Sequence, residues 1–281
     1  MASTLTRPAP PPGFARRFLD WSGHRVGLVP RIVGPLAILA FAVGTWQAGV
    51  WNSLWGLESF TLPRPSDIVR ALGTSRAELL ENLAITVKPA LLGYAIGNLA
   101  GVAGGALLVV VPGAFGRRLS GLFAAVQALP IIALVPVVAL YFGSGLLFKA
   151  VVVSILTFPS MMVYSHRGMT HLTDDVHALM ASYEARPHQV FLKVRLPNAL
   201  PFAFTALKYS VVLSVIGVVV CEIIRSRSGL GYEIDDALQA FETSEAWAAA
   251  TILAALGIAW YSALGILERL LVPWGAAQRT R

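Results

Sequence analysis

Six stretches of this chain, near 32–51, 83–111, 119–142, 146–165, 202–223 and 246–267, are mostly apolar. Each is long enough to cross a bilayer, which takes about 20 helical residues. In lipid a spanning segment must satisfy its own backbone N–H and C=O groups, and a helix does so within one segment. The expected fold is therefore all-α, a polytopic transmembrane helical bundle of about six spans. Composition agrees. Only 13% of residues are charged and 56% are hydrophobic, whereas soluble domains carry about 25% charged residues. The run 83–111 exceeds one perpendicular crossing and is expected to tilt or emerge. Pro130 and Pro136, in QALPIIALVPVVALYFG, are expected to kink or break the third span.

Basic residues orient the bundle. With the N-terminus inside, fourteen of the 22 Lys and Arg residues fall in cytoplasmic segments. Arg64, Arg70, Arg76, Arg225 and Arg227 fall outside. Positive charge collects on the cytoplasmic side of membrane proteins, so both termini are expected there. This divides the chain into a cytoplasmic tail 1–31, partly disordered, a membrane domain 32–267, and a cytoplasmic tail 268–281. Segment 166–201 forms the main cytoplasmic loop. No short apolar core with a cleavage site follows the first arginines, so the first span is expected to stay uncleaved. Lys88, Lys149 and Lys208 lie in or at the ends of spans and are expected to snorkel. In TLPRPSDIVRAL (61–72), Ser66 is the expected N-cap of a short outer helix, with Asp67 in its first turn.

Several chemistries are excluded or unsupported. One cysteine, Cys221, rules out an intramolecular disulfide and a cysteine metal cluster, and in its apolar run it reads as a packing residue. The five histidines fit no metal-ligand spacing and read as loop or interface residues. No phosphate-binding glycine loop with a following Lys-Ser/Thr pair is present, so any ATP and magnesium belong to a partner. No catalytic arrangement is legible. The net charge of +7 is explained by the cytoplasmic loops without nucleic acid.

Three features stand out. Ala178–Pro201, ALMASYEARPHQVFLKVRLPNALP, is a long polar break between apolar runs. Val190, Phe191 and Val194 share a helix face there, with Lys193 and Arg195 elsewhere, as suits a segment resting on a partner; a solvated loop is the plainer reading. Gly93, Gly97, Gly101 and Gly105 form a ladder on one face of the second span. Such a stripe admits a close neighbour, either within the bundle or on another subunit. Gln127, Pro130, Ser214 and Glu222 are polar or helix-breaking groups within spans and are candidates for a solute pathway. Glu222 could equally serve in an ion pair.

The phrases LPRPSDIVRAL (62–72), LPIIALVPVVALYFGSG (129–145), FKAVVVSILTFPSMM (148–162), KVRLPNALPFAFTALK (193–208) and SGLGYEI (228–234) occur in an order and spacing that resemble permease subunits of ATP-binding-cassette (ABC) importers. The likeness is to the nitrate, sulfonate and taurine group, with a slight lean towards the thiamine-precursor pyrimidine branch. It implies a type I importer fold in a bacterial inner membrane. It also implies cytoplasmic ABC ATPase subunits, an extracytoplasmic solute-binding protein for which the acidic outer loops offer docking points, and a second permease copy, all within membrane lipid.

In that family the main cytoplasmic loop carries Glu-Ala-Ala, then a glycine, then Leu-Pro, and forms a coupling helix that docks on the ATPase. Aligned on Leu196-Pro197, the first three positions hold Ala178, Leu179 and Met180, and the glycine position holds Glu184. The resemblance thus assigns coupling to Tyr183, Glu184, Ala185, Arg186, Pro187, His188, Phe191, Lys193, Leu196 and Pro197. Because Glu184 disfavours positive φ, the turn is expected to move downstream to Arg186-Pro187. The implied solute is a small organic anion or heterocycle. An ion-gradient transporter or a membrane scaffold subunit is the alternative, and the first should show paired intramembrane acids or inverted repeats.

Overall fold

Helices account for the regular structure, and no strand occurs among the described residues. The structure, a computed structural model, describes residues 28–58, 60–110, 118, 121 and 130–274. Expectations for 1–27, 111–117, most of 119–129 (with Gln127) and 275–281 lie outside these residues. The chain divides into two units, 1–57 and 58–281.

The first unit holds α1 (Leu28–Gln47) and the short α2 (Val50–Trp55). Ile38 and Phe41 on α1 are more than two-thirds exposed. An apolar helix exposed this way suits lipid rather than water. Trp51 donates its indole N–H to Thr45 Oγ1 at 3.2 Å and its ring lies 5.4 Å from that of Trp55.

The second unit runs α3 (Pro65–Thr74), α4 (Arg76–Val110), α5 (Ile131–Phe142), α6 (Leu146–Thr170), α7 (Asp174–Ser182), α8 (Pro187–Arg225), α9 (Leu230–Gln239) and α10 (Thr243–Leu271). α4, α6, α8 and α10 are long and apolar enough to cross a membrane; Val33–Gln47 and Ile131–Phe142 are shorter apolar helices. α3 begins on Pro65 with Arg64 as its N-cap, so Ser66 lies inside the first turn instead of capping it. Proline's fixed φ and missing N–H suit it to that first position. Pro130 likewise precedes α5 in extended geometry, and the helix begins after it.

α6 is the central rod. Its apolar window is 56% buried, against 6% for α10. The glycine ladder explains how α4 reaches it. A Cβ added at Gly93, Gly97, Gly101 or Gly105 would come within 2.5, 2.7, 2.8 and 2.8 Å of the carbonyls of Ala150, Ser154, Phe158 and Met162. Each glycine thus meets a carbonyl one turn along α6, where Cα–H groups make weak favourable contacts. The ladder is packing within the chain. On another side of α6, Val135, Val138, Phe148, Val152 and Cys221 form one buried cluster joining α5, α6 and α8, with Cys221 as a small apolar member.

Two expectations about lysine fail. Lys149 is 3% exposed and does not snorkel. Lys208 pairs with Glu268 of α10 and stands 5.7 Å above the Tyr261 ring. Burial of an ammonium is tolerated when a carboxylate faces it. Lys88 alone of the three is exposed.

The loop expected over 166–201 is also shorter. α6 continues to Thr170, and α8 starts at Pro187 rather than near 202. Pro197 cannot donate a backbone hydrogen bond, but a π turn at Phe191–Arg195 sits just before it, with Leu196 N–H reaching Phe191 C=O. Wider turns of this kind absorb the missing bond without ending the helix.

Candidate functional site

Two arrangements, at opposite ends of α8, are the candidate sites. The first is the elbow between α7 and α8. α7 ends at Ser182, and Glu184 adopts φ +48. Its N–H donates to Ala181 C=O at 3.0 Å, and Ala185 N–H donates to Met180 C=O at 3.1 Å. These paired bonds are a Schellman cap, which satisfies carbonyls that a helix end leaves open. The left-handed residue therefore stays at Glu184, contrary to the expected move downstream. The cap's two bonds outweigh a cost of about 1 kcal/mol for a side chain in that region. Arg186-Pro187 does open the next helix: Arg186 is extended at ψ 149, Pro187 takes the first helical position, and Arg186 N–H donates to Gln189 Oε1 at 2.9 Å.

The elbow presents its side chains outward. Tyr183 is 73% exposed, and Glu184, Arg186, Pro187, His188 and Lys193 are exposed with it. Val190, Phe191 and Val194 are half-buried. A groove of about 740 Å³ runs between the end of α4 (Val109, Val110) and Ala185, Pro187, His188 and Phe191. Leu196 is exposed, and Pro197 is half-buried where the helix joins the bundle. Asn198 fixes that junction by donating to the carbonyls of Gly168 at 2.7 Å and His171 at 3.0 Å. It thereby caps the open end of α6. Asn198 was visible only as part of the LPNALP phrase.

The second arrangement lies around Glu222, which is fully buried. Lys149 Nζ donates to Glu222 Oε1 at 2.9 Å, and Thr86 Oγ1 lies 3.1 and 2.9 Å from the two carboxylate oxygens. The first backbone donors of α9 are then captured in turn. Gly229 N–H donates to Asn82 Oδ1 at 2.8 Å, Leu230 N–H to Thr86 Oγ1 at 2.9 Å, and Gly231 N–H to Glu222 Oε2 at 2.9 Å. These donors have no partner inside their own helix, and a carboxylate at a helix N-terminus is electrostatically favoured. Gly229 has φ +107, and a Cβ there would sit 2.2 Å from Glu222 Oε1. Only glycine fits. The network ties α4, α6, α8 and α9 together.

Asn82 also donates to Glu233 Oε2 at 2.9 Å. Burial first, then Glu78, Glu245, Asp236 and Glu242, raise the Glu233 pKa above the ordinary value. Tyr232 is raised too, chiefly by its hydrogen bond to Asp236.

Of the pathway candidates, Glu222 closes this network. Ser214 is buried with its hydroxyl donating to Ser210 C=O at 2.7 Å. Pro130 is exposed at the start of α5. Asn82 and Thr86 escaped sequence reasoning, and Lys149 carried only the expectation of snorkelling. The available signal was that polar residues one turn apart on α4, and a lysine in α6, needed a buried acid to meet. No group of acidic, histidine or cysteine side chains suited to a metal occurs among the described residues.

Residues 93–274 match the sequence profile of the family described as binding-protein-dependent transport system inner membrane component. The formylaminopyrimidine transport permease protein ThiX of Halalkalibacterium halodurans is 30% identical over 222 residues, 79% of this chain and 88% of the relative. The putative aliphatic sulfonates transport permease protein SsuC of Escherichia coli is 30% identical over 250 residues, 87% of this chain and 93% of the relative. An inward-facing structure of the MetNI methionine ABC transporter superposes with a TM-score of 0.62 at 18% identity, covering 70% of this chain and 98% of that one.

Proposed function

The chain belongs to the binding-protein-dependent transport system inner membrane component family, and from that premise we propose that its α7–α8 elbow is the lever through which a partner ATPase moves the bundle. It is a multi-pass permease subunit of an ABC importer in a bacterial inner membrane and not an enzyme. Its partners are an ATPase and an extracytoplasmic binding protein. ATP and magnesium sit on the ATPase, two copies of this chain enclose the pathway, and lipid covers the exposed faces of α1 and α10.

The observation that carries this reading is the continuity of α8. One helix runs from Pro187, at the elbow, to Arg225, past the Glu222 network. At 1.5 Å per residue it is about 58 Å long. A displacement of Pro187–Arg195 is therefore delivered along a rod to the outer network, where α4, α6 and α9 are held to it. Nucleotide biases the bundle only through its different affinity for the two states, and the exposed elbow is where that difference enters. The solute is a small organic anion or heterocycle, in keeping with the pyrimidine and sulfonate named for the relatives.

Reversing charge with Arg186→Glu and Lys193→Glu should abolish solute-stimulated ATP hydrolysis while the protein still elutes as a folded complex. Normal uptake by that variant would remove the elbow from the mechanism.

A further inference from the structure

At the outer end, α5 with the turn after it and the end of α8 with the segment that follows leave a pocket of about 390 Å³ lined by Ala139, Gly143, Ser144, Arg225 and Arg227. Both arginines are exposed, and among the described residues neither has a carboxylate within 4.0 Å. No acidic side chain lines the pocket, although the outer segments 52–82 and 224–245 are rich in Asp and Glu. The Ser144 hydroxyl is exposed and also makes no hydrogen bond among the described residues. The polar side chains around this space are thus two guanidiniums and a hydroxyl.

Arg225 lies in the last turn of α8, where a cation suits the negative end of the helix dipole. That accounts for one charge. Arg227 stands beyond the Ser226 cap, yet lines the same pocket. Guanidinium groups offer paired N–H donors whose fork matches the oxygens of carboxylate, sulfonate or phosphate.

We infer that Arg225, Arg227 and Ser144 form an oxyanion-binding site at the outer end of the bundle, its arginines lying between Glu222 and Gly229 in the chain. The ligand is the anionic group of a solute or the phosphate of an outer-leaflet lipid. Where the ligand is the solute, the inference rests on the importer reading and selects the anionic class of substrate over the neutral heterocycles.

The test uses the full chain purified in dodecyl maltoside with any subunits that accompany it, captured on scintillant beads with radiolabelled sulfate. Wild type should hold label that unlabelled sulfate displaces. Affinity should fall about tenfold or more for each of Arg225→Gln and Arg227→Gln, and stay unchanged in Arg70→Gln, an outer arginine near Asp67. Adding phosphatidylglycerol separates the sources. Label that it leaves in place assigns the site to a soluble anion, and label that it displaces assigns the site to a lipid headgroup. Absence of displaceable label on wild type, or full binding by the Arg225→Gln/Arg227→Gln variant, overturns the site. Sulfate binding by a chain that recruits no ATPase would keep the site and remove the importer reading; the reverse result would remove the site alone.

Discussion

Replacing Lys149 by methionine should be among the most damaging single changes in this protein, and a second change should repair much of it. Glu222 has no exposed surface, and the ammonium at 2.9 Å is its only cationic partner among the described residues. In Lys149→Met the carboxylate keeps its bonds to Thr86 and Gly231 but loses the charge that balances it. Breaking a buried pair from one side costs about 3–5 kcal/mol. For a chain of this size that corresponds to a fall of roughly 6–20 °C in melting temperature. Glu222→Gln alone removes the charge and leaves Lys149 unpaired, so it should also destabilise. Together, Lys149→Met and Glu222→Gln leave neither member of the pair charged, and the amide oxygen can still accept from Thr86 or Gly231. The double variant should recover about 2 kcal/mol or more relative to the sum of the singles. Tryptophan-fluorescence melting of the four proteins in one detergent reads the cycle. Additive losses, or a Lys149→Met protein melting within about 2 °C of wild type, would refute the claim that this pair holds the outer network together.

Three further outcomes follow from the geometry. Glu184→Gly should raise stability by about 1 kcal/mol, because glycine takes φ +48 without a steric penalty, and Glu184→Val should lower it; a melting comparison decides. Gly97→Ala should lower the yield of folded protein on fluorescence-detected size exclusion, since its Cβ would lie 2.0 Å from Thr157 Oγ1 and 2.7 Å from Ser154 C=O; adding Thr157→Ala should restore only part of it, because the carbonyl remains. Glu233 has a folded pKa raised above 4.5. The folded state therefore holds its proton more tightly, and the contribution of Glu233 to stability should be full below about 4.5 and be lost as pH rises through the raised value. Glu233→Gln should flatten that dependence in melts taken upward from about pH 4, since the shift is upward.

The apolar runs made the all-helical membrane fold legible, because lipid allows so few backbone solutions. The glycine ladder was legible as a close-packing face, but the sequence could not say against what. That answer depends on α6 presenting carbonyls at a matching period. Lys149 was misread for a similar reason. A lysine near a span end looks like a snorkelling group until Glu222, far away in sequence, is placed opposite it. At Glu184 the residue preference was read correctly and the conclusion was still wrong, since two cap hydrogen bonds exceed one unfavourable backbone conformation. The helix begins earlier than Pro197 and Pro201 suggest, because a π turn lets it continue into Pro197 and Pro201 sits within it.

Nucleotide-dependent cross-linking at the elbow tests the central claim most directly. A cysteine introduced as His188→Cys in the full transporter stands on an exposed position, while the native Cys221 is buried and unreactive by location. The elbow account predicts an adduct between this cysteine and a P-loop ATPase, with a yield that changes when ATP replaces ADP, and no such adduct from an outer control, Asp235→Cys. An ATPase that co-purifies but never cross-links from positions 183–193, or solute uptake that continues without ATP, would contradict it.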